Sequence, residues 1–446
     1  MINELVRESE WHNLFPKVDQ EYVWEYPMFR GNSLDTNSFF AEKNRAISNN
    51  IGIYIHVPFC KYRCPMCSFY METVSTTDFS SPYTDYIISE FNGYSEKFEL
   101  SKRNLTAIYF GGGTASLLSA CDVQRIVEQI LQAFPNHEQL EITMENHPNF
   151  VSFEYLENLK SIGVNRVSFG IQSFVAEHLK TLGLLQTPEI NRKILQQSME
   201  IGFDTVSVDL IYRIPGQTKE QFFSELKEVV DFGVSSVSLY SMTLSERQEE
   251  LYQKLPSTDT DKSMFYDSMD FLKSRGFLHI AQPDFCLPNH INQDGLISWK
   301  APQGEQISLG AGAWSFFNGH IYCNTHNSGK YMKDVNANGF SFQQMQKATI
   351  DDLMSRYMVL GVRCLKIADE PFRDYFGISI FDVFGQEIRL LKEQGLLEQI
   401  GDSLIVSRIG KYYIDNISKT FYSPANRCRL QPYCYGIGKE WREGNE

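Results

Sequence analysis

Between residues 51 and 240, short β-branched or aromatic runs alternate with stretches of helical spacing, and this alternation constrains the fold more than any other feature. The strand-like runs are 51–57, 105–110, 140–145, 165–170, 204–211 and 235–240. The stretches with helical spacing are 121–134, 151–162, 188–201 and 217–232. Strand, helix and strand in this order predict βαβ units with right-handed crossovers. We therefore expect an α/β fold built on a parallel sheet.

Glycine or polar residues stand at the ends of four predicted strands. The segment 111–114 (Gly-Gly-Gly-Thr) follows one, and Glu145, Gln172 and Asp209 lie at the ends of three others. In parallel α/β folds the carboxyl ends of the strands form the site. Any one of these residues alone is explained as well by a loop position or a helix cap. Four in succession favour convergence on one site.

The pattern changes near both ends of the chain. The predicted parts are an N-terminal extension wrapped on the main domain, 1–48, the main domain, 49–345, a small α-rich module, 346–420, and a tail, 421–446. Within the module, we expect helices at 350–364 and 384–393 and a short hairpin or wing formed by 396–398 and 404–406. The tail holds Cys428 and Cys434, and no structure is assigned to it.

Composition and charge exclude several kinds of function. The formal net charge is −14 and no basic block occurs, which argues against binding to a nucleic-acid backbone. Apolar runs such as 51–57 are too short to cross a bilayer. The N-terminus is polar and acidic, unlike a signal peptide, so we expect a cytoplasmic location. In that reducing compartment the nine cysteines are expected to be free thiols or metal ligands.

Cys60, Cys64 and Cys67 form a CxxxCxxC motif directly after the first predicted strand. Three thiolates at this spacing can hold three irons of a 4Fe–4S cluster. The fourth iron then stays open for the amino and carboxylate groups of S-adenosylmethionine (SAM), whose cleavage gives a 5′-deoxyadenosyl radical. The alternatives are three incidental thiols or a structural zinc site, which normally needs a second ligand pair. The glycine triplet one βα unit later favours the cluster, because glycines let the main chain approach a ligand.

Several segments resemble the radical SAM family of oxygen-independent coproporphyrinogen oxidase. They read Tyr-Ile-His-Val-Pro-Phe-Cys at 54–60, Tyr-Phe-Gly-Gly-Gly-Thr at 109–114, Arg-Val-Ser-Phe-Gly-Ile-Gln-Ser-Phe at 166–174, Val-Asp-Leu-Ile-Tyr at 208–212, Pro-Gly-Gln-Thr at 215–218 and Gly-Ala-Gly-Ala at 310–313. The resemblance implies a partial (β/α) radical SAM barrel, with a small C-terminal α-rich, winged-helix-like domain. It also implies a 4Fe–4S cluster and, as in several members, two SAM molecules.

The resemblance assigns roles to individual residues. Around the SAM on the open iron it places Tyr54, Gly112, Glu145 and Thr243. Facing a second SAM it places Met66, Gly113, Thr114, Gln172 and Asp209. Phe69 is also expected to contact a cofactor, and the predicted catalytic residues are Gln172, Asp209 and Tyr240.

Departures from the family pattern narrow the expected activity. The oxidase has a fourth cysteine where this chain has Phe69, and an arginine where it has Leu184. The family's heme chaperones carry a His-Asn-x-x-Tyr motif that the segment 289–299 lacks, and a histidine where Trp314 stands. The sequence Cys-Ser-Phe-Tyr at 67–70 resembles instead the class C radical SAM methyltransferases and the related anaerobic heme-degrading enzymes.

The leading hypothesis is an enzyme that transfers a SAM-derived carbon to a planar conjugated ring, either a tetrapyrrole or a heteroaromatic compound. Its expected electron donor is a reduced flavodoxin- or ferredoxin-type protein. Neither nucleic acid nor a membrane is an expected partner. The alternatives are coproporphyrinogen oxidation and a heme chaperone. The histidines nearest the motifs, which are candidate heme ligands for the chaperone, are His56, His290, His320 and His326.

Overall fold

The computed structural model describes residue 23 and residues 26–31, 33–41, 49–67, 69–244, 249–295 and 304–427. Most of the predicted tail, including Cys428 and Cys434, lies outside this part of the chain. In order, the strands are β1 Asn50–Val57, β2 Phe59–Cys60, β3 Glu72–Thr73, β4 Asn104–Gly112, β5 Glu141–Asn146, β6 Arg166–Gln172, β7 Thr205–Tyr212, β8 Ser236–Ser241, β9 Leu278–His279, β10 Asp284–Cys286, β11 Glu305–Leu309, β12 Trp314–Phe317, β13 His320–Asn324, β14 Phe342–Lys347, β15 Lys366–Ala368, β16 Leu397–Ile400 and β17 Ser403–Val406.

Among the described residues, the first helix, α1, lies in the N-terminal extension. In order, the helices are α1 Thr36–Ala41, α2 Ser80–Lys97, α3 Ala120–Ala133, α4 Phe153–Ile162, α5 Ala176–Thr181, α6 Pro188–Ile201, α7 Lys219–Asp231, α8 Glu249–Tyr252, α9 Thr258–Ser274, α10 Ser328–Asn338, α11 Ile350–Arg363, α12 Asp369–Phe376, α13 Ile380–Val383, α14 Gly385–Glu393, α15 Ile414–Thr420 and α16 Pro424–Arg427. Among the described residues, no helix combines the length and the apolar character that a membrane span requires.

A 12-stranded sheet forms the centre of the molecule, in the order β14-β13-β12-β11-β1-β4-β5-β6-β7-β8-β10-β9. The strands from β11 to β8 in this order are mutually parallel. Antiparallel strands flank them on both sides, so the sheet stays open. The prediction of a partial (β/α) barrel is therefore confirmed.

The six predicted parallel strands all form, close to their expected limits, because their apolar residues are buried on both faces. In β1, for example, Ile51, Ile53 and Ile55 on one face have no exposed surface, and Gly52 and His56 on the other face are also buried. Strand β11 was not predicted from the sequence. It pairs in parallel with the free side of β1 and so adds a strand to the sheet. A run of only five residues carries too little periodicity to be separated from a loop.

Helix caps explain where the crossover helices begin and end. Thr218 and Gln221 form a capping box at the start of α7, each side chain bonding the other residue's backbone N–H. Thr187 caps α6, with Pro188 in its first turn. Gly202 ends α6 in the left-handed conformation, which glycine adopts without steric cost. These caps fix the residues at which the crossover helices start and stop, after which the chain returns to the sheet.

The C-terminal module consists of helices α11 to α15 and the three-stranded sheet β15-β17-β16. Strands β16 and β17 pair antiparallel and form the predicted hairpin. The described part of the N-terminal extension contacts both this module and the main sheet. Arg30 pairs with Asp352 at 2.8 Å, and the Ser38 hydroxyl lies 2.8 Å from a ring nitrogen of His320. The domain bounds at residues 48, 345 and 420 stay predictions.

Candidate active site

Glu145, at the end of β5, is the centre of a polar cluster at the carboxyl edge of the sheet. Its carboxylate accepts a 2.7 Å hydrogen bond from the Tyr109 hydroxyl and a 3.3 Å bond from the backbone N–H of Gly112. The Tyr54 ring stacks on Tyr109 at a centroid distance of 5.7 Å. A Cβ at Gly111 would lie 2.8 Å from the Tyr54 hydroxyl and 2.9 Å from the Glu145 carboxylate, so any other residue there would displace these two groups.

The loop that carries the three cysteines is closed at its base by the parallel pair of β2 and β3. Inside it, the backbone N–H of Cys67 donates to the carbonyl of Cys64 at 3.0 Å. All three cysteine side chains are half-buried. The Thr114 hydroxyl donates to the Cys60 sulfur at 3.3 Å, and a Cβ at Gly113 would lie 2.9 Å from that sulfur. The glycine triplet and the cysteine loop are therefore in direct contact.

The loop fits the cluster that its spacing predicts. Burial raises the pKa of the Cys64 thiol, hydrogen bonding with Tyr62 opposes this, and the neighbouring thiols of Cys67 and Cys60 add to the rise. Three half-buried cysteines in one loop are potential ligands for the irons of a cluster, which bind cysteine as the thiolate. In the described part of the chain, no three His, Cys, Asp or Glu side chains stand close enough together to hold a single metal ion. In a 4Fe–4S cluster each cysteine binds a different iron, so the three sulfurs need not converge on a single point.

Asp209, on β7, is partly buried in a group of acidic side chains. Burial raises its pKa to about 8, and the nearby charges of Glu145 and Asp284 add to the effect. Ser238, on β8, hydrogen-bonds Asp209 and also donates to Asp284 at 2.7 Å. At neutral pH the Asp209 carboxyl is therefore protonated and can donate a hydrogen bond.

Gln172 ends β6 with a φ of 65°. This is the left-handed region of the backbone, which residues other than glycine and asparagine rarely adopt. The pairing between β6 and β7 shifts register just before it. This bulge turns the chain at the carboxyl edge of the sheet, where strained backbone often marks a functional site.

Met66 and Tyr240 pack against one apolar cluster, together with Leu184. The buried members of this cluster are Leu182, Ile211, Ile214, Met242 and Leu244. The predicted residues Phe69 and Thr243 are both exposed, and Phe69 leaves 52% of its surface accessible. The structure therefore brings Met66 and Tyr240 together on one apolar surface, whereas it leaves the side chains of Phe69 and Thr243 accessible to solvent.

The four histidines considered as heme ligands differ in their surroundings. His320 is completely buried and contacts Ser38 and the Asn318 carbonyl, one through each ring nitrogen. His290 bonds Thr205 and His326 bonds Gln343. Among the described residues, Nε2 of His56 is buried without a hydrogen-bond partner. Burial lowers the His56 pKa to about 4, so the ring is neutral.

Several residues of the site were not predicted from the sequence. Tyr109, which holds Glu145, stands inside the segment 109–114 but was not singled out. Asp284 lies on the three-residue strand β10, which has no periodicity to reveal it. Tyr62 lies between two of the cysteines, and His147 is brought beside it only by the fold.

Comparison with known proteins gives the family and the fold of this chain. A family model described as the radical SAM superfamily matches residues 54–232, and one described as the HemN C-terminal domain matches residues 349–413. The solved structure of coproporphyrinogen III oxidase (HemN) from Escherichia coli superimposes with a TM-score of 0.75 at 21% identity, covering 93% of this chain and 97% of that one. This likeness shows that the two share a fold.

Curated relatives give the family. The heme chaperone HemW of Lactococcus lactis is 30% identical over 77% of this chain and 90% of its own length. The oxygen-independent coproporphyrinogen III oxidase of Escherichia coli is 24% identical over 83% of this chain and 85% of its own length. The chain belongs to the radical SAM superfamily and, within it, to the family of these heme chaperones and coproporphyrinogen oxidases. These relatives do not support the narrower resemblance to class C methyltransferases.

Proposed function

We propose that this protein holds a 4Fe–4S cluster on Cys60, Cys64 and Cys67 and uses SAM for radical chemistry on a conjugated ring of the tetrapyrrole class. The observation that carries the proposal is the contact of the half-buried cysteine loop with Gly113 and Thr114 at the carboxyl edge of the sheet. A radical SAM cluster supplies, when bound, the electron that cleaves SAM to a 5′-deoxyadenosyl radical.

The chain's own groups bind and orient SAM in this proposal. Burial raises the Glu145 pKa, while the hydrogen bonds from Tyr109 and Gly112 favour the ionised form that accepts from an amino group. The absence of a side chain at Gly112 and Gly113 lets the main chain approach SAM closely. Asp209, protonated at neutral pH, is suited to donate a hydrogen bond to a second SAM. The predicted roles of Tyr54, Gln172, Phe69 and Thr243 belong to the same proposal.

A tetrapyrrole-class substrate is proposed because the names of the relatives refer to heme and to coproporphyrinogen. The apolar cluster that includes Met66, Leu184 and Tyr240 offers a surface suited to a planar ring. A flavodoxin- or ferredoxin-type electron donor and a cytoplasmic location stay predictions.

The reaction that we propose is transfer of a SAM-derived carbon to an unsaturated carbon of the ring. Phe69 and Leu184 support it, because they replace the fourth cysteine and the arginine of the oxidase. The fold packs Leu184 against the apolar cluster that includes Ile211 and Met242, an environment that would be unfavourable for a charged side chain. Without the fourth cysteine and the arginine, the chain lacks two features of the oxidase but keeps the three cysteines needed to form the radical.

Heme binding is the second candidate. The likeness to the heme chaperone HemW of Lactococcus lactis, at 30% identity over 90% of its length, favours it. The buried, neutral imidazole of His56 has ring nitrogens of the kind that bind a metal.

The cluster is tested by anaerobic reconstitution and iron analysis. We expect about four irons per chain, and loss of the cluster and of 5′-deoxyadenosine formation when Cys60, Cys64 or Cys67 is changed to alanine. The matched control is Cys121→Ala, because Cys121 is an exposed thiol on α3. Full iron content in Cys64→Ala would show that the ligand assignment is wrong.

Product analysis separates the reactions. Turnover with a candidate tetrapyrrole should release 5′-deoxyadenosine and S-adenosylhomocysteine together, and deuterium from methyl-labelled SAM should enter the 5′-deoxyadenosine. Carbon dioxide without S-adenosylhomocysteine would favour the oxidase instead. A stable heme absorption band after gel filtration, with little SAM cleavage, would favour the chaperone.

A further inference from the structure

Tyr62 and His147 form a hydrogen-bonded pair beside Cys64, and the proposed function gives neither residue a role. The Tyr62 hydroxyl lies 3.0 Å from Nε2 of His147. The two rings meet nearly edge to face, and Phe150 packs against the imidazole at a centroid distance of 4.7 Å. The pair joins the cysteine loop to the turn that follows β5.

The backbone determines where the imidazole proton sits. Nδ1 of His147 lies 3.2 Å from the backbone nitrogen of Asn149, whose N–H can only donate, so Nδ1 must accept. A ring that accepts through Nδ1 is neutral and carries its proton on Nε2. Burial lowers the His147 pKa to about 4, which agrees with a neutral ring. Nε2–H therefore donates to the oxygen of Tyr62.

The Tyr62 oxygen accepts from a second donor as well. The backbone N–H of Leu185 points at it from 3.4 Å. With both of these contacts donating to the oxygen, the hydroxyl proton of Tyr62 needs an acceptor elsewhere. The Cys64 thiol lies beside it and shares a side-chain hydrogen bond with Tyr62.

We propose that Tyr62, oriented by His147, donates a hydrogen bond to the Cys64 sulfur in the loaded protein and raises the reduction potential of the cluster. This inference rests on the proposed function, in which Cys64 is a cluster ligand. A donor to a ligating sulfur stabilises negative charge, and the reduced cluster is the more negative form. Tyr62 thus tunes the cluster, and His147 is a positioning residue that directs the hydroxyl proton.

The test is the midpoint potential of the reconstituted cluster, followed by electron paramagnetic resonance during a redox titration without substrate. Tyr62→Phe keeps the ring and removes the donor. We expect the reduction equilibrium to shift about tenfold toward the oxidised cluster, which is about 59 mV more negative for a one-electron couple. The matched control is Tyr155→Phe, because the buried Tyr155 hydroxyl has no hydrogen-bond partner among the described residues. Its potential should stay that of the wild type.

Resonance Raman spectra give a second readout that does not depend on activity. Fe–S stretching bands of the wild type should shift in D₂O through the O–H···S bond, and part of that shift should be missing in Tyr62→Phe. His147→Leu should lower the potential by less than Tyr62→Phe, because the hydroxyl remains but loses the donor that orients it.

An unchanged potential in Tyr62→Phe at full iron content would overturn the inference. If Tyr62→Phe does not load iron, His147→Leu carries the same test, and an unchanged potential there overturns the inference equally. A wild-type protein that assembles no cluster would overturn the proposed function, and this inference with it.

Discussion

Burial controls the ionisation of Asp209, and this has a consequence for stability. An aspartate in an unfolded chain has a pKa of about 3.9, whereas burial and the nearby charges raise the Asp209 pKa to about 8. The folded protein therefore holds the proton more tightly than the unfolded chain. The resulting stabilisation is complete below about pH 4 and is lost as the pH rises through about 8.

Asp209→Asn should remove this pH dependence, because a carboxamide has the same shape and does not ionise. Between about pH 4 and about pH 8, the free energy of unfolding should fall less steeply in the variant, by at most about 1.4 kcal/mol per pH unit. Urea denaturation of the SAM-free protein at a series of pH values measures this. Asp204→Asn is the control, because the Asp204 side chain is 70% exposed. Parallel curves for wild type and Asp209→Asn would contradict the raised pKa.

At the scale of elements, the turn after β11 is held against the end of β1 at the site. Gly310 has a φ of 103°, and its N–H donates to the buried Glu90 carboxylate on α2 at 2.9 Å. A Cβ at this position would overlap the carbonyl oxygen of His56 and lie 2.6 Å from the Tyr83 hydroxyl. The close contact requires glycine for space as well as for conformation.

Gly310→Ala should therefore cost more stability than the same change at a glycine in open space. We expect a loss of about 3 kcal/mol or more in the free energy of unfolding, since backbone must move. At Gly319, which has a φ of 70° and no atom within 4 Å of the place that a Cβ would take, alanine should cost about 1 kcal/mol. Denaturant titration of both variants checks this, and equal losses would show that the Gly310 contact relaxes without cost.

At the scale of the whole molecule, one buried ion pair links three parts of the chain. Arg363, with no exposed side-chain surface, donates to Asp415 at 2.7 Å and to the carbonyl of Gln282, next to the main sheet, at 2.6 Å. The backbone N–H of Val23, in the N-terminal extension, donates to the same carboxylate at 3.0 Å. Removing one partner of such a pair leaves a buried charge without compensation.

Asp415→Asn should lower the free energy of unfolding by about 3–5 kcal/mol. The matched control is Asp270→Asn, which breaks the surface pair between Asp270 and Arg408, both about half exposed, and should cost about 0–1 kcal/mol. Chemical denaturation followed by circular dichroism measures both. Equal effects would mean that water reaches the Arg363 pair.

Much of the fold can be predicted from the sequence, because it depends on patterns among neighbouring residues. The parallel strands are continuous apolar runs and the crossover helices have caps and spacing of their own, so both follow from neighbouring residues. The cysteine spacing likewise predicts the cluster without the structure. By contrast, β11 and β10 are short strands that form by pairing with β1 and β8, which are distant in the sequence.

The sequence by itself determined the α/β class, the parallel strands with the polar residues at their ends, and the three proposed cysteine ligands. Each of these depends on spacing along the chain. Only the tertiary structure decided which groups share an environment. It placed Asp284 beside Asp209 and His147 beside Tyr62, and it left Phe69 exposed. Burial and hydrogen-bond direction arise from residues far apart in the sequence, and these two properties set the ionisation of Asp209 and the direction of the Tyr62 proton.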